Sequence, residues 1–283
     1  MDDANTVADP ITQSPALKSP QTVLLSEQLE EISTAVAPLQ GKVSKNPKTA
    51  AVILAGGSGE RFGNPGGKQL FELLGKPVLT WSSEAFDAVA DVGLIVIVCP
   101  EDRIEEYCRV AIDPYPFVTP IEFTASGELR QESSFAGVMK VPSSYDLIAI
   151  HDGARPLVTP ELIMHAISAV KGNGDIDGSV VGHPAVDTLK VVDNGTIVGT
   201  PDRAAFWVAQ TPQVFRSDII RLAHTTALGE GFIGTDDSSI VERIGGTVAL
   251  VQGPRDNIKV TVPEDFGPAE AALVARLIQR NKI

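Results

Sequence analysis

The chain is predicted to fold as an α/β protein, with a mostly parallel sheet, helices on both faces and a projecting two-stranded β-arm. Three observations carry this. From residue 50 onward, short β-rich apolar runs alternate with segments of helical period. The first run leads directly into "ILAGGSGERFGNPGGKQ" (residues 53 to 69), the sequence form of a phosphate-binding strand, loop and helix. Further on, "DTLKVVDNGTIVGTPDR" alternates apolar and polar residues around Asn194-Gly195, a dipeptide that supplies the positive φ angles of a type I′ turn.

The elements follow in order. A strand over Ala50 to Leu54 precedes a helix over about Val78 to Val89. Leu94 to Val98 is paired with a helix over Ile104 to Val110, and Ile121 to Thr124 with one over Glu132 to Lys140. Leu147 to Ile150 then precedes a helix over Glu161 to Val170, and strands follow at Ser179 to Val181 and near Thr247 to Val251. The stretches "AQTPQ" (209 to 213), "GTDDSS" (234 to 239) and "RDNIKVT" (255 to 261) read as loops or caps. The arm breaks this rhythm at about residues 186 to 204. A lone two-stranded ribbon is marginal in water, so the arm is expected to pack on a second copy of the chain, making a homodimer.

Residues 1 to 48, rich in Ser, Thr, Pro, Gln and Ala, read as a largely disordered N-terminal extension. Residues 49 to 283 are long enough for one substantial core. A net charge of -13 argues against nucleic acid or an anionic membrane as partner, because both select for a broad basic surface. Cys99 and Cys108 do not make a disulfide framework, no Cys/His spacing fits zinc, and no run is a signal or a membrane span. A reduced, cytoplasmic setting is expected.

Chemistry concentrates in the turns. Gly56, Gly57 and Gly59 let backbone N–H groups approach phosphate oxygens, while Arg61 and Lys68 follow at a spacing that fits neither a dinucleotide loop nor a Walker loop. Together they suit stabilisation of charge in phosphoryl or nucleotidyl transfer. The strand ending in "IAIHDGARP" sets Asp152 and Arg155 at its carboxyl end, where ligands of open α/β sheets collect, and a carboxylate there suits Mg²⁺. His151 points to the opposite face and reads as structural. "GELRQESS" brings Gly127, Arg130 and Ser133 to a helix start, as a cap or as a base-reading loop. Thr211, Thr235, Asp236 and Lys259 lie in the remaining loop segments. No Ser/His/Asp set, HExxH or CxxC indicates covalent or zinc chemistry.

Taken together, AGGSGERF with its KQ, GELRQES, HDGARP, PAVDTLK, PDR before WVAQTPQ, TDD, and NIKVT with PED resemble the 2-C-methyl-D-erythritol 4-phosphate cytidylyltransferases of the non-mevalonate isoprenoid pathway. The likeness runs from residue 50 to about 279. It implies a Rossmann-like, nucleotide-diphospho-sugar transferase-like fold in which residues 49 to 283 are the cytidylyltransferase domain. It further implies that Ala55, Gly56, Gly57 and Gly59 cradle the CTP triphosphate, and that Gly127, Arg130 and Ser133 read cytosine and ribose. Arg61 and Lys68 would stabilise the five-coordinate transition state at the α-phosphate. Asp152 would hold Mg²⁺ and approach the acceptor with Arg155. Arg203 and Lys259 would place the acceptor phosphate, with Asp187, Thr188, Thr211 and Thr235 nearby, and Arg203 would serve the partner's site through the arm.

The sequence departs from the family pattern at Gly67, where Pro is common, and at Gly153, where Ala is usual. A ribitol 5-phosphate cytidylyltransferase is the nearest alternative, and a CTP-binding sensor or scaffold without turnover the alternative of another class.

Overall fold

The computed structural model describes residues 48 to 57 and 67 to 280. Apart from Lys48, the expected N-terminal extension lies outside them.

At the centre is a seven-stranded sheet in the order β11-β7-β10-β6-β1-β4-β5. It comprises β1 (Thr49–Leu54), β4 (Val92–Cys99), β5 (Ile121–Ala125), β6 (Leu147–Asp152), β7 (Gly178–Pro184), β10 (Trp207–Arg216) and β11 (Val248–Gln252). Only β10 runs against its neighbours, antiparallel to β6 and β7. The other pairings, β1 with β4 and β6, β4 with β5, and β11 with β7, are parallel. Every residue of β1 is buried, as expected for a continuous apolar run in a sheet covered on both faces.

The two faces divide β1 by its alternation. Ala51, Ile53 and Ala55 join Leu79 and Phe86 of α1 (Val78–Asp87), Tyr107 of α2 (Ile104–Tyr107) and Ile163, Ile167 and Val170 of α4 (Pro160–Lys171). Ala50, Val52 and Leu54 join Val138 of α3 (Arg130–Lys140), Ile220 and Ala223 of α5 (Ser217–Glu230) and Ile240 and Val241 of α6 (Asp237–Arg243). Each fully buried aliphatic side chain of this kind contributes roughly 1.5–3 kcal/mol. Local signals set the helix starts. Thr159 accepts the Leu162 N–H at 3.3 Å with Pro160 in the first turn, and Asp236 accepts the Ser239 N–H at 3.0 Å.

Most expected elements are present with shifts of one to a few residues at their ends. The helix expected over Ile104 to Val110 ends as α-helix at Tyr107 and continues as a wider π turn over Cys108–Ile112. Beyond residue 217, α5, α6 and α7 (Phe266–Arg280) were not foreseen. The larger correction is "AQTPQ", which is part of a ten-residue central strand, β10, and not a loop. A proline reads against a central strand because it donates no ladder bond. Here the register jumps from Ala209↔Gly182 to Gln213↔Val180, so three residues, Gln210 to Pro212, face one, and Pro212 sits in that irregularity.

The arm is formed by β8 (Val191–Asp193) and β9 (Thr196–Gly199), antiparallel, with Asn194 at φ 47° and Gly195 at φ 79°, the signs of a type I′ turn. A separate small hairpin joins β2 (Glu72–Leu73) to β3 (Lys76–Pro77). Among the described residues no helix is long and apolar enough to cross a membrane.

Candidate active site

The carboxyl ends of β1, β5, β6, β7 and β11 lie on one edge of the sheet, and the Gln210–Pro212 irregularity of β10 returns to that same edge beside Asp152. There a cleft of about 300 Å³ is lined by Arg130, Asp152, Arg155, Ala209, Gln210, Thr211, Gln213, Thr235, Asp236 and Lys259. Residues from five separate segments meet in it. Asp152 is its centre.

Three cations surround the Asp152 carboxylate. Lys259 Nζ lies 3.0 Å from Oδ2, Arg155 Nε 3.4 Å from Oδ2, and Arg130 Nε 3.6 Å from Oδ1. Burial works against the charge, but Lys259, Arg130 and Arg155 together outweigh it and hold the carboxyl well below the usual carboxylate range. Arg155 Nη1 also donates to the Asn257 carbonyl at 2.8 Å. Arg130 is shared, since its Nη1 donates to Asp237 Oδ2 at 2.7 Å. Asp237 is buried, accepts the Ser134 hydroxyl at 2.5 Å and lies 3.3 Å from His224 Nε2. Burial opposes the Arg130 charge, and the Asp237 and Asp152 carboxylates more than restore it.

The start of α3 explains why Arg130 faces the cleft. Glu132 Oε2 accepts the N–H groups of Glu128 and Leu129 at 2.9 and 3.1 Å, and Ser133 Oγ accepts the Gly127 N–H at 3.1 Å. Gln131 spans to the connection between α5 and α6, donating to the Phe232 carbonyl at 3.0 Å and accepting the Gly234 N–H at 2.8 Å. With Gln131 and Glu132 so engaged, Arg130 is the residue of this turn that meets Asp152 and Asp237.

Thr211 lines the cleft, yet its hydroxyl is committed inside the fold. It accepts the Asp152 N–H at 3.0 Å and lies 2.9 Å from His151 Nδ1. His151 Nε2 faces the Arg155 carbonyl at 3.3 Å, so the proton belongs on Nε2, and Nδ1 accepts from Thr211. Burial pushes the His151 pKa down to about 3, which keeps the ring neutral. The expected structural role of His151 is thus a specific one, a prop for the Thr211 hydroxyl from beneath the sheet.

Other expected site residues are not among those that line the cleft. Ala55, Gly56 and Gly57 follow β1, and a Cβ on Gly56 would fall 2.3 Å from that of Ser126, so only glycine lets the two strand ends cross. Lys68 opens the short 3₁₀ turn Lys68–Leu70 and is buried. Gly67 has φ 69°, a value closed to proline, so the departure from the family pattern comes with a left-handed backbone. Gly127 and Ser133 close the turn before α3. Asp187, Thr188 and Arg203 belong to the exposed arm, where Arg203 Nη1 donates to the Val186 carbonyl at 2.7 Å. Gly59 and Arg61 lie outside the described residues.

Sequence reasoning gave no role to Gln210, Gln213, Asn257 and Asp237. Asp237 was quoted only as the second Asp of the TDD run, and no local periodicity distinguishes the other three from ordinary loop residues.

Among the described residues no group of three His, Cys, Asp or Glu side chains could hold a metal ion. A single ionised Asp152, whose Oδ1 faces Arg130 at 3.6 Å, has the chemistry to hold a divalent cation that takes most of its ligands from water and phosphate oxygens.

Comparison with known proteins agrees with this geometry. The family model for 2-C-methyl-D-erythritol 4-phosphate cytidylyltransferase matches residues 49–275. The chain is 44% identical to the enzyme of that name from Caldanaerobacter subterraneus over 227 residues, 79% of this chain and 98% of the relative. It is 41% identical to the one from Bacillus licheniformis, covering 82% and 97%. Among solved structures, 4-diphosphocytidyl-2C-methyl-D-erythritol synthase from Anaerococcus prevotii aligns with a TM-score of 0.71 at 27% identity, over 81% of this chain and 99% of that one. The Thermus thermophilus 2-C-methyl-D-erythritol 4-phosphate cytidylyltransferase aligns at 0.63 and 28%, over 78% and 97%. With residues 49–275 inside the family model and relatives above 40% identical over most of its length, the chain belongs to the 2-C-methyl-D-erythritol 4-phosphate cytidylyltransferase family.

Proposed function

We propose that the protein transfers the cytidylyl group of CTP to 2-C-methyl-D-erythritol 4-phosphate, releasing pyrophosphate and forming 4-diphosphocytidyl-2-C-methyl-D-erythritol for isoprenoid precursor synthesis. The observation that carries the reading is the cleft at the carboxyl edge, where Arg130, Arg155 and Lys259 converge on one carboxylate at the end of β6, next to the end of β1.

In this reading, Ala55, Gly56, Gly57 and Gly59 cradle the triphosphate, and Gly127, Arg130 and Ser133 hold the nucleoside side. The acceptor phosphate is ionised at neutral pH and needs no general base. The protein must bring two anions together, align them in line and neutralise the charge that develops on five-coordinate phosphorus. Arg61 and Lys68 do the last of these, while Lys259 and Arg155 receive the acceptor with Thr235 at the rim. Asp152 would hold a magnesium ion, whose charge would offset that of the phosphates.

The arm supports a homodimer. Val191, Val192, Ile197 and Val198 are all more than half exposed, on a ribbon whose strands pair only with each other among the described residues. A second copy would cover them and bring Asp187, Thr188 and Arg203 to the neighbouring cleft, whose two carboxylates already offset two of its three cations. The soluble, cytoplasmic setting inferred from the sequence suits this chemistry.

The test is pyrophosphate release by the purified chain with CTP and Mg²⁺, offering methylerythritol phosphate and ribitol 5-phosphate in parallel. Release with the first alone is expected. Release with the second alone would move the acceptor to a pentitol phosphate, and release with neither would reduce the protein to a CTP-binding one.

A further inference from the structure

We infer that Asn257 is a positioning residue for the acceptor half of the cleft, fixing Thr211, Arg155 and Lys259 relative to one another; this rests on the acceptor assignment proposed above.

The segment that carries Lys259, residues 253 to 262, follows β11 and has no helix or strand to hold it. Its shape is set by a few bonds to neighbouring segments. Gly253 N–H donates to the Gly182 carbonyl at 2.7 Å, Gln210 Nε2 to the Pro254 carbonyl at 3.2 Å, and Val260 N–H to the Ala154 carbonyl at 2.8 Å. Asn257 sits between these ties, fully buried. Its Nδ2 donates to the Thr211 carbonyl at 3.0 Å and to Gln210 Oε1 at 3.2 Å. Its own backbone carbonyl accepts Arg155 Nη1 at 2.8 Å. Two residues on, Lys259 Nζ meets Asp152 Oδ2 at 3.0 Å.

Chemistry fixes the orientation of the Asn257 amide. The Thr211 carbonyl can only accept, so the group facing it must be the NH₂. One side chain therefore clamps the irregularity of β10 to the Lys259 segment, and the same residue's carbonyl anchors Arg155. The bonds of Gln210, Gly253 and Val260 hold the segment's ends and Asp256 ties its middle outward to Arg276 of α7 at 2.8 Å, whereas among the described residues only Asn257 ties that middle directly to Thr211. An asparagine suits the place because aspartate, of the same shape, would set oxygen against two acceptors.

The experiment uses the full chain with Asn257→Ala and Asn257→Asp, measuring kcat and KM for each substrate and CTP binding by calorimetry. Both variants are expected to lower kcat/KM for methylerythritol phosphate by about tenfold or more, the scale of a sub-ångström misplacement of reacting groups. CTP affinity should stay within about twofold of the parent, because the described bonds of Asn257 go to Thr211, Gln210 and Arg155, the acceptor side of the cleft. Asn257→Asp is expected to be at least as impaired as Asn257→Ala despite its matching shape. Acceptor kcat/KM within about twofold of the parent in either folded variant would overturn the inference, as would equal losses for both substrates. Should neither variant give folded protein by circular dichroism, Asn257 is a stability residue and the inference is equally overturned. An inactive parent chain would instead point to failure of the acceptor assignment.

Discussion

Replacing Thr211 by valine separates two roles that the structure sets against each other. The Thr211 hydroxyl accepts the Asp152 N–H and bonds His151 Nδ1, both in buried surroundings. Valine fills nearly the same volume but leaves that N–H and that ring nitrogen without partners. Each buried polar group left unpaired costs about 1–3 kcal/mol, so Thr211→Val is expected to destabilise the fold by on the order of 2–4 kcal/mol. For a domain of this size that corresponds to a fall in Tm of roughly 5–15 °C, readable by scanning calorimetry or by a dye-based melt. Thr211→Ser keeps the hydroxyl and should stay within a few degrees of the parent. Turnover should fall in the valine variant through displaced Asp152, with the loss shared between kcat and KM. If Thr211→Val melts with the parent while KM for the acceptor rises steeply, the hydroxyl serves substrate directly and the committed bonding seen here is not what holds the site.

Three other outcomes are expected. Asp152→Asn removes the counter-charge of Arg130, Arg155 and Lys259; with the cations partly exposed, the cost is about 1–3 kcal/mol, and pyrophosphate at saturating concentration should recover most of it by binding the freed cations. No recovery with pyrophosphate would argue against this cluster as a phosphate site. Because burial holds the His151 pKa at about 3, below the ordinary 6.5, the unfolded chain takes up a proton that the folded chain does not as pH falls beneath 6.5, and stability is lost in that direction at about 1.4 kcal/mol per pH unit. His151→Gln should flatten this slope between pH 6.5 and 5 in denaturant titrations, and an unchanged slope would mean that the ring is not held neutral. Lys68→Ala is expected to cost about a hundredfold in turnover with little change in acceptor KM, the scale of one preorganised charge stabiliser; near-parent turnover would remove Lys68 from the chemistry.

The candidate site was partly legible because its motifs are local. A glycine-rich turn after an apolar strand, an Asp at a strand's carboxyl end and an Asn-Gly hairpin each need only a few consecutive residues to be read. Asp152, Arg155, Thr211, Thr235, Lys259 and Arg130 were all named from such stretches and all line the cleft. What the stretches did not reveal was which partner each residue would face. Arg130 could be grouped from the sequence with Gly127 and Ser133, its neighbours in the chain, but its ion pairs with Asp237 and Asp152, residues supplied by α6 and β6, could not be read there.

The order of the main strands and helices up to β7 and the type of turn in the arm were determined by the sequence itself, since hydrophobic period and backbone preference act over neighbouring residues; the short β2–β3 hairpin was not legible there. Tertiary structure alone decided that β10 enters the sheet antiparallel between β6 and β7. Strand pairing is a contact between distant segments, and Pro212 masks the local signal until the irregularity beside Gly182 absorbs it. That one insertion sets Thr211 under Asp152, gives Asn257 its acceptors and so brings Lys259 to the carboxylate.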